Sequence, residues 1–264
     1  MLNRHLFIVA VAAALLATTI TSEALAAPFQ AGDVLTFTQD DWGDGSASAL
    51  TAAPTILSNY FNTLYGGLGY IDVGVLGSPG KFAMLFTSSG ALFTYLPGSG
   101  LPAALSATLV DPASSSSGVF GGEVVALRLN VDFSDAGYTA GALGLPFGDL
   151  VIHDYAPFPE ANGLTVRQWF AQASLALGGG VPAYDYASAF ALVQELNGSF
   201  SPRRVQHDDG SFETEQHVSQ FAQDHLAVAA APVPEPASLM LLGLGVGAMI
   251  RWAGWGPSRR AGRK

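Results

Sequence analysis

Apolar positions along the body of the chain fall into short runs whose spacing assigns an element to most of them. Val34, Leu35 and Phe37, then Tyr70 to Leu76, then Phe82 to Thr87 are compact apolar runs of strand length. Gly77-Ser78-Pro79-Gly80 between the last two is turn chemistry, so these runs predict a hairpin and the N-terminal third a small antiparallel sheet. Leu57, Tyr60, Phe61 and Leu64 recur at i, i+3, i+4 and i+7, with Pro54 suited to a first helical position and Gly66 to a stop. A helix follows from this spacing, with an apolar face expected to cover the sheet.

Toward the C-terminus the period changes to that of helices. Thr165 with Gln168 makes a capping box, and Val166, Trp169, Phe170, Ala173 and Leu177 form one stripe that Gly178 ends. A second helix runs from a cap at Asp185 through Phe190, Val193 and Leu196 to Gly198, and the short connection predicts an antiparallel helical pair. Val119 to Ser134 fits two periods: Phe120, Val124, Leu127 and Val131 suit a helix, whereas Val125, Leu127, Leu129, Val131 and Phe133 alternate as in a strand. Helix is the preferred reading. A last helix is expected from Phe212 to Leu226, with Val218, Phe221, Ala222 and His225 on one face. The fold class expected is α+β: a mainly α-helical body with a small N-terminal antiparallel sheet.

Both ends differ from this body. Arg4 and His5 precede an apolar run from Leu6 to Ala17, and Ala24-Leu25-Ala26 offers small residues for a signal peptidase, so residues 1–26 read as a signal peptide. At the other end come Val233-Pro234-Glu235-Pro236-Ala237-Ser238, the apolar run Leu239 to Ile250, and the cations Arg251, Arg259, Arg260, Arg263 and Lys264. That run of about 12 residues spans only ~18 Å of a hydrocarbon core ~30 Å thick. A helix from Ala237 to Trp255 reaches about 28 Å, with Arg251 snorkelling and Trp252 and Trp255 at the interface, and makes a weak membrane anchor. The expected division is a signal helix over 1–26, an extracytoplasmic domain over 27–226, a flexible linker over 227–233, and a membrane helix with basic tail within 234–264.

The Pro234-Glu235-Pro236 motif, the apolar run and the arginine-rich end, in that order, resemble the PEP-CTERM sorting signal of Gram-negative bacteria. The resemblance covers about the last thirty residues. It implies an exosortase-type sorting enzyme as partner, transient residence in the inner membrane and then the cell surface or extracellular space. Bacteria that use such signals make exopolysaccharide, so it further implies a biofilm or matrix setting with exopolysaccharide as a partner.

The body carries a second resemblance. Trp42-Gly43, the Leu57 to Tyr65 helix, Phe86-Thr87-Ser88-Ser89, Tyr95-Leu96-Pro97, Asp111-Pro112, the stretch from Phe120 to Val131 and Leu164-Thr165-Val166-Arg167-Gln168 resemble, in their order, a module recurring in bacterial surface proteins. The resemblance implies an extracellular role and supplies no catalytic residue.

Charge narrows the functional classes. The formal net charge is -10, and five of the cations sit in the tail, so the body is strongly acidic. Such a surface repels phosphate backbones, which excludes nucleic acid as a partner. Cysteine is absent, which removes thiol nucleophiles, Cys-ligated zinc and disulfides and leaves core packing to hold the body together.

Candidate chemistry is sparse. No Gly-x-Ser-x-Gly elbow, His-Glu-x-x-His helix or phosphate-cradling glycine loop occurs. His153-Asp154 and His207-Asp208-Asp209 place imidazole next to carboxylate, but neighbours in sequence point apart and no nucleophile accompanies them. His217 and His225, eight apart near one helical face, lack a third metal ligand and read as core-edge histidines. Asp40-Asp41-Trp42-Gly43-Asp44-Gly45 is the stretch suited to calcium, yet counted from Asp40, Trp42 falls on a ligand position and Thr51 stands where an EF-hand has its closing Glu. Trp42, Trp169, Tyr184 and Tyr186 are the aromatics available for stacking on sugar rings. The expectation is an exported surface or matrix protein with no catalytic residues, no cofactor and no metal. The rival is a secreted polysaccharide-acting hydrolase or a carbohydrate-binding module.

Overall fold

The computed structural model describes residues 28–45, 51–181, 185–206 and 212–229. They belong to one compact unit spanning 26–229, and its class is α+β. Seven α-helices lie among the described residues: α1 (Gln39–Gly43), α2 (Ala53–Tyr65), α3 (Ser89–Tyr95), α4 (Gly118–Asp135), α5 (Val166–Leu177), α6 (Tyr186–Gly198) and α7 (Gln220–His225). The strands are β1 (Ile71–Gly74), β2 (Ala83–Phe86), β3 (Leu109–Val110), β4 (Leu150–Ile152), β5 (Arg203–Gln206), β6 (Phe212–Glu215) and β7 (Leu226–Val228).

Helix α4 is the axis of the body. Its 18 residues rise about 27 Å, and both apolar stripes read from the sequence are buried, Phe120, Val124, Leu127 and Val131 as well as Val125, Leu129 and Phe133. A helix covered on nearly every side has no polar face to reveal its period, so its sequence fits two templates. Helices α5 and α6 both pack on α4, and these are their main helix contacts; the expected antiparallel pairing of the two with each other gives way to a shared axis. Their predicted bounds and caps stand: Thr165 and Gln168 form the capping box, and Asp185 accepts the Ser188 N–H. Helix α2 also forms where expected and buries Leu57 and Phe61 of the expected stripe, but Tyr65 takes the place of Tyr60, which is exposed, and its packing is chiefly on α1 and α3 and not on the sheet.

Strands β1 and β2 pair antiparallel with Ile71 opposite Phe86 and Gly74 opposite Ala83, and β3 joins β2 in parallel. The turn between β1 and β2 relies on Gly77 and Gly80, whose φ angles of 77° and 69° disfavour a side chain. The outer edge of β1 is closed by helices: the Gly74 N–H donates to Ser174 Oγ of α5 at 2.8 Å, and Arg128 of α4 donates to the Asp72 carbonyl at 3.3 Å. Those contacts occupy backbone groups that would otherwise invite another strand.

Three further expectations are corrected. Val34 to Phe37 joins no sheet; the Asn130 side chain pairs with Phe37 as a neighbouring strand would, accepting its N–H at 2.9 Å and donating to its carbonyl at 2.8 Å. The span 212–226 is not one helix. Phe212–Glu215 pairs antiparallel with β5, Arg203 standing opposite Glu215, and α7 starts only where Ser219 Oγ accepts the Ala222 N–H. The expected linker also loses its first residues, since Ala227 and Val228 pair with Val151 and Leu150 and extend the body to at least residue 228. No helix among the described residues is long and apolar enough to cross a membrane, and the expected signal and membrane helices lie outside the described residues.

Candidate functional site

The sorting residues Pro234, Glu235, Pro236, Arg251, Arg259, Arg260 and Arg263 lie outside the described residues. The described part of the chain reaches residue 229 just beyond β7, so residues 229–233 separate the last sheet pairing from Pro234.

Within the body, the pairing of β4 with β7 brings His153 and His225 together. The His153 N–H donates to the His225 carbonyl at 2.9 Å, and His225 Nδ1 lies 3.2 Å from the His153 carbonyl. His153 Nδ1 is 3.2 Å from Asp154 Oδ2, and the Asp154 side chain is 91% exposed. A contact this open to water gains little from its geometry. A groove of about 750 Å³ lies elsewhere, lined by Phe158, Glu160, Gln172, Leu175 and Asp185, without His153. The Asp185 carboxylate there is taken up by Ser188 in capping α6, and those bonds hold its pKa below the ordinary carboxylate range. His217 is exposed and precedes α7, so it shares no helical face with His225. The His207 to Asp209 cluster lies outside the described residues.

The stretch from Asp40 to Gly45 is not an open loop. Its first four residues lie in α1, where Asp41 Oδ2 accepts from Thr38 N at 3.0 Å, Thr38 Oγ1 at 2.7 Å and Ser201 Oγ at 2.9 Å. That carboxylate is committed to a helix cap and to the chain after α6. No group of three His, Asp or Glu residues suited to a metal ion occurs among the described residues. Trp42 and Trp169 are fully buried, and the Tyr186 hydroxyl donates to the Ala176 carbonyl at 3.2 Å. Two of the aromatics considered for sugar stacking are therefore core residues, and Tyr184 lies outside the described residues.

A buried polar constellation among the described residues is one that the residue patterns did not single out. Glu123 on α4 is 2% exposed; its Oε1 accepts from Gln39 Nε2 at 3.0 Å and its Oε2 from Asn197 Nδ2 at 2.7 Å. Asn130, two turns further along α4, donates to Asn197 Oδ1 at 2.9 Å and accepts from Trp42 Nε1 at 3.1 Å. Gln39 in turn accepts the Gly98 N–H at 3.0 Å, which fixes its amide so that the NH₂ faces the carboxylate. Burial pushes the Glu123 carboxyl up to about 7, with Asp40 adding to the rise and the amide donors opposing it. Sealed from solvent, this network has no access for a substrate and serves to hold the 36–42 segment and α6 on α4. The available signal was the i, i+7 spacing of Glu123 and Asn130 inside a mainly apolar run.

Arg128 and Arg167 are similarly engaged. Arg128 bridges Asp132 and Asp72 beneath Phe170, and burial together with Asp132 raises the pKa of the Tyr65 phenol that donates to that carboxylate. Arg167 pairs with Asp135 and Asp149, whose bonds raise the guanidinium pKa further. Neither arginine is arranged to hold a phosphate.

Comparison with known proteins adds one positive finding. No curated protein and no solved structure matches the chain, so the likeness of the body to a recurrent surface module gains no support. The family model described as the PEP-CTERM protein-sorting motif matches residues 232–255. This match supports an exported protein that an exosortase-type enzyme sorts toward the cell surface. Pro234, Glu235 and Pro236 fall inside the matched stretch, and the chain carries a PEP-CTERM sorting motif.

Proposed function

We propose that the protein is a non-catalytic component of the cell surface or exopolysaccharide matrix, with the acidic body as its delivered part and the tail as its routing device. The observation that carries the reading is the sorting motif at residues 232–255 behind a compact acidic body. Support for a non-catalytic body comes from where its reactive side chains lie. His153 and Asp154 are open to water and apart from the groove, Asp41 caps a helix, and Glu123 is sealed in the core.

Sorting proceeds through the order of the tail. Pro236 lacks an N–H and fixes φ, so a helix can start directly after it, while Arg251 and the terminal cations stay on the cytoplasmic side. A helix of marginal length holds the protein at the inner membrane only until the sorting enzyme acts at the Pro-Glu-Pro site. Cells expressing the protein are separated into inner-membrane, surface and matrix fractions, and matrix polysaccharide is then digested. The reading expects the body to leave the matrix fraction on digestion. A body that stays in the inner membrane, or one unaffected by digestion, counts against the matrix role.

A further inference from the structure

We infer that Tyr60 and Tyr138 form an oxidative cross-linking site, able to join α2 covalently to the turn after α4 through a dityrosine bond. Their rings stack with centroids 3.9 Å apart and planes inclined by 19°, which places ring carbons of one phenol in van der Waals contact with those of the other. No other tyrosine pair is stacked among the described residues.

Rigid backbone holds both partners. Tyr60 projects from the solvent side of α2 and is 37% exposed. Tyr138 is fixed by its own N–H, which donates to the Phe133 carbonyl at 2.9 Å as the chain reverses through Gly137 at φ 79°. The buried Phe133 ring supports Tyr138 from below. Neither phenol oxygen makes a hydrogen bond among the described residues, whereas the hydroxyls of Tyr65, Tyr95 and Tyr186 are engaged with Asp132, Ser115 and the Ala176 carbonyl. The pair thus combines solvent access, free hydroxyls and a preset approach, the conditions that convert a bimolecular coupling into a local one.

The co-reactant is hydrogen peroxide used by a haem peroxidase. Each phenol gives up its O–H hydrogen, one proton and one electron, to the oxidant. The two phenoxyl radicals then couple between ring carbons ortho to oxygen. One C–C bond forms, the two ortho C–H bonds break as their protons move to the phenolic oxygens, and peroxide leaves as two waters. The product carries two hydrogens fewer than the starting chain. In a chain without cysteine this bond supplies the covalent tie that a disulfide would supply elsewhere. The inference stands independently of the sorting signal.

The full chain in detergent, exposed to a haem peroxidase with equimolar hydrogen peroxide, tests it. Wild type and a Tyr70→Phe control are expected to remain monomeric, lose two hydrogens by intact mass, gain dityrosine fluorescence and yield a peptide pair joining residues 60 and 138. Tyr60→Phe and Tyr138→Phe keep a ring in the stack but lose the cross-link and its fluorescence. Cross-links confined to other tyrosines or to separate chains overturn the inference, as does fluorescence undiminished in Tyr60→Phe.

Discussion

Asn197 donates to Glu123 twice, to Oε2 at 2.7 Å and to the backbone carbonyl at 3.0 Å, with the asparagine fully buried and the glutamate nearly so. Removing the amide leaves a buried carboxyl with one side-chain donor and deprives Asn130 of one of its two acceptors. Asn197→Ala is therefore expected to lower the unfolding free energy by about 3 kcal/mol or more, measured by urea denaturation. A loss comparable to that of an exposed substitution, within about 0.5 kcal/mol, contradicts the assignment of this network as the tie between α6 and α4.

The same carboxyl makes stability depend on pH. Because burial raises Glu123 in the folded state to about 7 from 4.5, the folded chain holds that proton more tightly than the unfolded chain does. Its stabilising contribution is full below pH 4.5 and is lost as pH climbs to about 7, a decline of up to about 3 kcal/mol. Burial also raises Asp132, which adds a slope of the same sign, so the difference between wild type and Glu123→Gln isolates the effect. That difference is expected to shift against wild type across this window. A constant difference shows that Glu123 does not titrate there.

Trp42 and Trp169 are both fully buried, but only the first has its N–H satisfied: Trp42 Nε1 reaches Asn130, while Trp169 Nε1 has no hydrogen-bond partner among the described residues. Replacement by Phe removes a bond in one case and an unpaired donor in the other. Trp42→Phe is expected to cost about 1–2 kcal/mol more than Trp169→Phe, compared by denaturation under one set of conditions. Equal costs contradict the role given to the Trp42–Asn130 bond.

Helix propensity alone favours Ala over Gly by about 1 kcal/mol inside a helix. At Gly122 the sign reverses, because a Cβ would run into Gln39 Oε1 and the Gly98 backbone where these press against α4. Gly122→Ala is expected to destabilise the body by about 1–3 kcal/mol. A stabilised variant in a melting experiment means that the 98 segment can move away freely.

Local signals carried far into this fold where one face of an element meets water. The α5 cap at Thr165 and Gln168, the bounds of α2 and the β1–β2 hairpin are each encoded within a few residues, and each forms as expected. Long-range pairing set the rest. Val34 to Phe37 has a strand's composition, but Phe37 pairs with the Asn130 side chain and Thr36 with the Phe200 and Asn197 carbonyls, about a hundred residues or more away in sequence. Phe212–Glu215 reads as the start of a helix until β5 pairs with it, and Ala227 and Val228 read as linker until β4 does. The sorting signal was legible because a membrane and an enzyme read it as linear sequence. The Glu123 network depends on three separate segments meeting, and only the spacing within α4 hinted at it.

The central claim is that the body is delivered through the tail. Its most direct measurement is the intact mass of the C-terminus in surface and inner-membrane fractions of cells expressing wild type or Glu235→Ala, in a host with an exosortase-type enzyme. Wild type is expected at the surface without its tail, and Glu235→Ala at the inner membrane with its tail complete. Equal release and equal tail loss from both chains would contradict the account.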